Sequence, residues 1–208
     1  MSTTIEVYPA RLKPPSFRQV LELSQAELWR FLERHAGIVS RPVISVMVLK
    51  NKNHRQCQID LDAPAVWPND TYAWFTIGRA EGGTDCYFRT LSELNHECWA
   101  ENLTDEKFHT MAPRISDCLR TGHYWYFRRS VGQPGIVCVA YGIIAASLAV
   151  LTDGFLFSGD SAWEWRRFPA EPSDFLEWYF DPEKAIEEEY RKWAQQCILG
   201  LKEDLEER

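Results

Sequence analysis

The sequence predicts an α+β protein: an antiparallel sheet covered by helices, with a long helix at the C-terminus. Three observations carry that expectation. Strand-like runs come in neighbouring pairs, 43–49 with 56–62 and 72–77 with 86–90. Helical patterns fall between these pairs instead of alternating with single strands, as a doubly wound parallel sheet would require. The C-terminal part carries 3.6-period segments around Asp181-Pro182. With 208 residues and no low-complexity linker, residues 1–208 read as a single domain. A chain of this length can bury a core without disulfide or metal staples.

In chain order, Thr3 to Tyr8 alternates as a strand, and Pro9, Pro14 and Pro15 hold the following connection extended. Ser24 and Glu27 fit a capping box, with Leu23 and Leu28 as its hydrophobic staple. The first helix is therefore expected to start at Ser24, and Gly37 is placed to stop it. Val43 to Leu49 and the alternating Gln56 to Asp62 read as a hairpin through Lys50 to Arg55. Tyr72 to Ile77 and Cys86 to Thr90 form a second around Glu81-Gly82-Gly83-Thr84. Thr104 to Leu119 is helical, with a kink or late start at Pro113. His123 to Arg129 is an aromatic strand.

Residues Gly135 to Leu151 carry no charge but are too short for a bilayer span, so they predict a buried core helix. Its small residues Gly142, Ala145, Ala146 and Ala149 suit close approach to a sheet, and Gly154 stops it. Phe155 to Phe157 is a short strand, and Gly159-Asp160 turns into another from Ala162 to Arg167. Ser173 or Asp174 caps a short helix to Phe180. Asp181-Pro182 then restarts a helix in which Ile186, Tyr190, Trp193, Cys197 and Leu201 share a face.

Charge and cysteine usage narrow the function classes. A net charge of −7 opposes non-specific binding to nucleic acid or anionic membranes and permits a basic partner. The six cysteines include no CxxC pair, and the N-terminal residues lack a signal-like pattern, so reduced thiols and a cytoplasmic location are expected. There is no G-x-S-x-G elbow and no Walker loop. His96-Glu97-Cys98 with Asp85-Cys86 is the one His/Cys/acid cluster, and it lacks the second ligand pair of a zinc site. No metal and no cofactor are expected. Gly132-Gln133-Pro134-Gly135 behind Arg128-Arg129 suggests an anion site, the alternative being a plain strand-to-helix loop. The run His123-Tyr124-Trp125-Tyr126-Phe127 invites base stacking, but alternation sends half of those rings into the core.

The segment Leu151 to Arg167 carries the site expectation. Asp153, Asp160 and Glu164 fall at turn or strand positions beside Trp163, and an aromatic anchor among charges suits a protein interface. The alternative is that Trp163 and Trp165 point inward. A helix of small residues ending in Thr152-Asp153-Gly154, then a strand and a Trp-bearing turn, over residues Ala140 to Tyr179, resembles the immunity proteins of bacterial polymorphic-toxin systems. The resemblance implies a non-catalytic protein that occludes a secreted toxin with acidic and aromatic residues. Two rivals remain: a small hydrolase using Cys98 or His123, and a structural subunit of a phage or secretion assembly.

Overall fold

Alternation along the strands decides which side of the sheet becomes core. The computed structural model describes residues 2–160 and 164–205. Seven strands are present among them: β1 (Thr3–Tyr8), β2 (Ile44–Lys50), β3 (Gln56–Cys57), β4 (Thr71–Ile77), β5 (Thr84–Thr90), β6 (His123–Arg129) and β7 (Phe155–Phe157). They form one antiparallel sheet in the order β3-β2-β4-β5-β6-β1-β7. Register places Val48, Ala73, Cys86, Phe127 and Ile5 in a line across its inner face, all buried. Trp125 joins them, and its indole N–H donates to the Ala65 carbonyl at 2.9 Å. A large buried ring is thereby left with no orphaned donor.

Six α-helices are described: α1 (Phe17–Phe31), α2 (Glu93–Asn102), α3 (Ala112–Leu119), α4 (Gly135–Leu151), α5 (Pro172–Trp178) and α6 (Glu188–Leu205). The expected α+β architecture with a long C-terminal helix is what forms. None of these helices is long and apolar enough to cross a membrane. Every residue from Ile136 to Ala149 is buried, because α4 packs on the sheet and is enclosed by α1, α5 and α6. Gly142 faces an aromatic ring, not the sheet. A Cβ there would lie 2.5 Å from Cε1 and Oη of Tyr179, which follows α5. Asp153, not Gly154, takes the left-handed conformation that stops α4 (φ 50°). Gly154 is needed for close approach, since a Cβ there would meet the backbone of Tyr8 and Pro9.

The outer face is covered over only part of its width. At the β6-β1-β7 end, Tyr8 stacks between Tyr124 and Phe155, with centroids 5.3 and 5.0 Å away. Trp99 of α2 meets Tyr8 edge-on, and Phe108, Ile115 and Leu119 close a second, smaller core.

Several elements depart from expectation, each for a local reason. The N-cap of helix α1 is Ser16, eight residues before Ser24. Ser16 and Gln19 make the capping box, while the Phe17 and Arg18 amides donate to Ala63 and Leu61. Ser24 is buried mid-helix. Of Gln56 to Asp62, only Gln56–Cys57 pairs as strand, because the carbonyls of Leu61 and Ala63 serve α1 instead. Helix α2 was not expected. Trp99 is its one buried residue, so it carries no apolar stripe, and a Ser92/Asn95 capping box starts it. The Thr104 to Leu119 segment is a 3₁₀ turn at Glu106–Met111 followed by α3, with Pro113 in its first turn, a late start.

The strand expected over Ala162 to Arg167 is not found: Trp165–Arg167 is a 3₁₀ turn, and Ala162 lies outside the described residues. Helix α5 begins at Pro172, which as a first-turn proline leaves Ser173 and Asp174 inside the helix. Asp181-Pro182 makes a turn, with the Asp181 carboxylate accepting from the Glu183 amide at 3.0 Å, and α6 starts only at Glu188. Ile186 is consequently exposed, away from the core-facing side of α6.

Candidate functional site

The acids expected to meet a partner are used within the fold. Asp160 accepts from the Thr4 amide at 3.1 Å, the Thr4 hydroxyl at 2.6 Å and the Ser158 hydroxyl at 3.2 Å, tying the end of β7 to the start of β1. Glu164 is 2% exposed and accepts from the Ile186 amide at 2.8 Å. Burial raises its pKa, and that hydrogen bond opposes the rise. Neither presents the exposed carboxylate that sequence suggested. Asp153 is exposed, but it joins Arg114 at 3.4 Å, and Arg114 also holds Glu171 at 2.6 Å. Asp153 and Asp160 lie beyond opposite ends of β7. Trp163 lies outside the described residues, and Trp165 is 38% exposed beneath the Arg166 guanidinium.

Cys98 and His123, the two residues of the hydrolase alternative, lie on opposite faces of the sheet. Cys98 is exposed on α2, which covers the outer face, whereas His123 packs against Phe88 and Trp125 on the inner face. Burial lowers the His123 pKa, which a hydrogen-bond contact with the Thr121 carbonyl opposes. Among the described residues, no three His, Cys, Asp or Glu side chains converge on a point where a metal ion could sit. At the suggested anion loop, the Gln133 side chain accepts from the Gly83 amide at 3.1 Å, fastening the loop to the β4–β5 turn. Its arginines are also engaged: Arg128 lies on the outer face and Arg129 is buried.

What the structure adds is the bare half of the outer face. Met47, Leu49, Trp74, Tyr87 and Tyr126 belong to neither hydrophobic core and are partly exposed, beside a buried Tyr72. The rings of Tyr72, Tyr87 and Tyr126 form a row with centroids 5.7 and 6.2 Å apart. The guanidiniums of Arg89 and Arg128 lie over Tyr87 at 4.9 and 5.9 Å. Asp85 sits beneath, its side chain 5% exposed, accepting from Arg128 Nε at 2.9 Å and from the Tyr87 hydroxyl at 2.9 Å. Burial, then the Asp85 charge, pushes the Tyr87 phenol up to about 12. The β2–β3 hairpin borders this face through His54, 2.8 Å from the Tyr72 hydroxyl, and brings exposed Lys50, Lys52 and Arg55.

Tyr, Trp, Met and Arg are the residues enriched where proteins meet. Arg89 and the hairpin's Lys50, Lys52 and Arg55 bring positive charge to the patch, while Arg128 is paired with Asp85. The sequence signal was present: in β4 and β6 both alternating sets are aromatic, so one set had to lie outside the main core. Comparison with family models, with curated proteins and with solved structures found no match.

Proposed function

We propose that this chain is a non-catalytic binding protein of the immunity type, which occludes a secreted toxin through the bare half of its sheet. The observation that carries the reading is the Tyr72–Tyr87–Tyr126 row capped by Arg89 and Arg128. The rings are already fixed against one another, so little side-chain entropy is lost on docking. The two arginines and the lysine-bearing hairpin favour a partner surface rich in carboxylates. This departs from the basic partner suggested by net charge, because Asp160 and Glu164 are engaged internally. A protein partner is favoured over single-stranded nucleic acid because guanidiniums occupy the Tyr87 ring, where a base would stack.

The test has two stages. Wild type and a Tyr87→Ala/Arg89→Glu variant are used to capture partners from the native cytosol at low salt. The captured protein is then expressed in a bacterial host, alone or with either form. Growth arrest relieved by wild type and not by the variant is the expected result. A captured protein that is harmless alone, or one held equally by both forms, overturns the reading. So does tight binding of a single-stranded oligonucleotide that the variant abolishes.

A further inference from the structure

The chain carries a carboxylate-rich surface of its own beside the bare half of the sheet. Helix α2 lies at the β6-β1-β7 end, where its one buried residue, Trp99, packs on Tyr8, Phe155 and Phe157. Glu93, Glu97 and Glu101 follow at four-residue spacing, which places them on the side of α2 turned away from Trp99. All three are exposed, and so is Leu94 among them, at 67%. The basic counterpart lies across the sheet. Lys50, Lys52 and Arg55 are exposed on the β2–β3 hairpin, and Arg89 lies over Tyr87. Among the described residues, none of these three acids or four bases has an ion-pair partner. The outer face therefore has a charge polarity, acidic at α2 and basic at the hairpin, that no contact within the chain neutralises.

We propose that the free chain forms a two-fold dimer in which α2 of each copy lies on the bare half of the other. A two-fold axis in the contact plane and parallel to the strands exchanges the two edges of the sheet. Each acidic helix then meets the other copy's basic hairpin, Tyr87 and Arg89, and the same contact occurs twice. The dimensions agree. Strands β2, β4 and β5 are seven residues long. They make a strip about 14 Å wide and about 24 Å long, and a helix with its side chains is about 10 Å across. Each copy contributes this strip and a helical surface of similar size, so about 1,300 Å² is buried in all, within the range of stable interfaces. Docking also takes Leu94 out of water. The inference rests on the reading of the bare half as a docking surface, and it adds regulation to that surface, since a toxin and a second copy exclude one another.

The test is sedimentation of the full chain at low salt, with no toxin present. The expected species has twice the 24.2 kDa mass of the chain, and its dissociation constant rises at least about tenfold in about 0.5 M salt. Glu97→Lys/Glu101→Lys makes α2 basic, and Lys52→Glu/Arg55→Glu makes the hairpin acidic. Each variant alone is expected to be monomeric, because like charges face one another at both contacts. An equimolar mixture of the two is expected to dimerise, because opposite charges then meet at both. A wild-type chain that stays monomeric at about 0.1 mM overturns the proposal, and that result does not depend on any variant folding. So does a dimer that both variants keep, or a mixture that stays monomeric when both variants match wild type by circular dichroism. A monomeric wild type leaves the toxin-capture assay to stand or fall by growth arrest, so the two readings can fail separately.

Discussion

The same glycine-to-alanine change should have opposite signs in two helices of this protein. In an exposed helix interior, alanine is favoured over glycine by about 1 kcal/mol. At Gly200 of α6 nothing lies within 4 Å of an added Cβ, so Gly200→Ala should stabilise by up to about 1 kcal/mol. At Gly142 of α4 the added methyl enters the Tyr179 ring. That ring cannot retreat freely. It is buried, stacked on Phe175 at 4.5 Å, and its hydroxyl donates to the Cys138 carbonyl at 2.7 Å. Overpacking costs about 1–3 kcal/mol, and loss of the buried hydrogen bond about 1–3 kcal/mol more. After subtracting the helix gain, Gly142→Ala should destabilise by about 3 kcal/mol, or lower Tm by about 6–12 °C in a domain of this size. Urea unfolding followed by circular dichroism reads both variants against wild type. A Gly142→Ala protein as stable as wild type, or a Gly200→Ala protein destabilised by a comparable amount, would refute the packing argument.

Three further outcomes follow from the same contacts. Alanine at Asp160 or Glu164 should each cost about 1 kcal/mol in urea unfolding, because part-buried donors of Thr4 and Ile186 lose their acceptor; an effect confined to partner association would contradict the internal role. His35 and His123 both have pKa values lowered by burial, so the unfolded chain takes up protons near its ordinary 6.5 while the native chain does not. Their contribution to stability is complete above that pH and is lost as pH falls below it, and a His35→Asn/His123→Asn variant should show a shallower loss in urea midpoints measured down to about pH 5. Asp204→Ala should cost about 1 kcal/mol and speed hydrogen exchange at the Ile136 amide, since the Asp204 carboxylate accepts from that amide at 2.9 Å where α4 begins.

Legibility in the sequence tracked how local the determining physics was. β1, β6, β7 and α4 are readable to within a residue because their patterns are one strand or one helix long and their ends coincide with Gly, Pro or a change of period. The start of α1 was misplaced because Ser16/Gln19 and Ser24/Glu27 are both plausible boxes, and only the distant carbonyls of Leu61 and Ala63 favour the first. Helix α2 was illegible because a single tryptophan fastens it. Asp160 and Glu164 looked free because their partners, Thr4 and Ile186, are 156 and 22 residues away. The bare aromatic row was visible as doubled alternation, but which set would be left uncovered depended on where α2 and α3 packed.

The position of β1 shapes how a ribosome can make this protein. Strand β1 is inserted between β6 and β7, which are made more than a hundred residues after it. Helix α4, apolar on every side, receives its last cover only when α6 has been synthesised. A nascent chain halted before His123 therefore displays an unpaired β1, and one halted between Leu151 and Glu188 displays a greasy helix without its last cover, the exposures that non-local topologies prolong. Folding to completion waits for α6, and a truncation within that helix acts on the centre of the molecule, not on its margin.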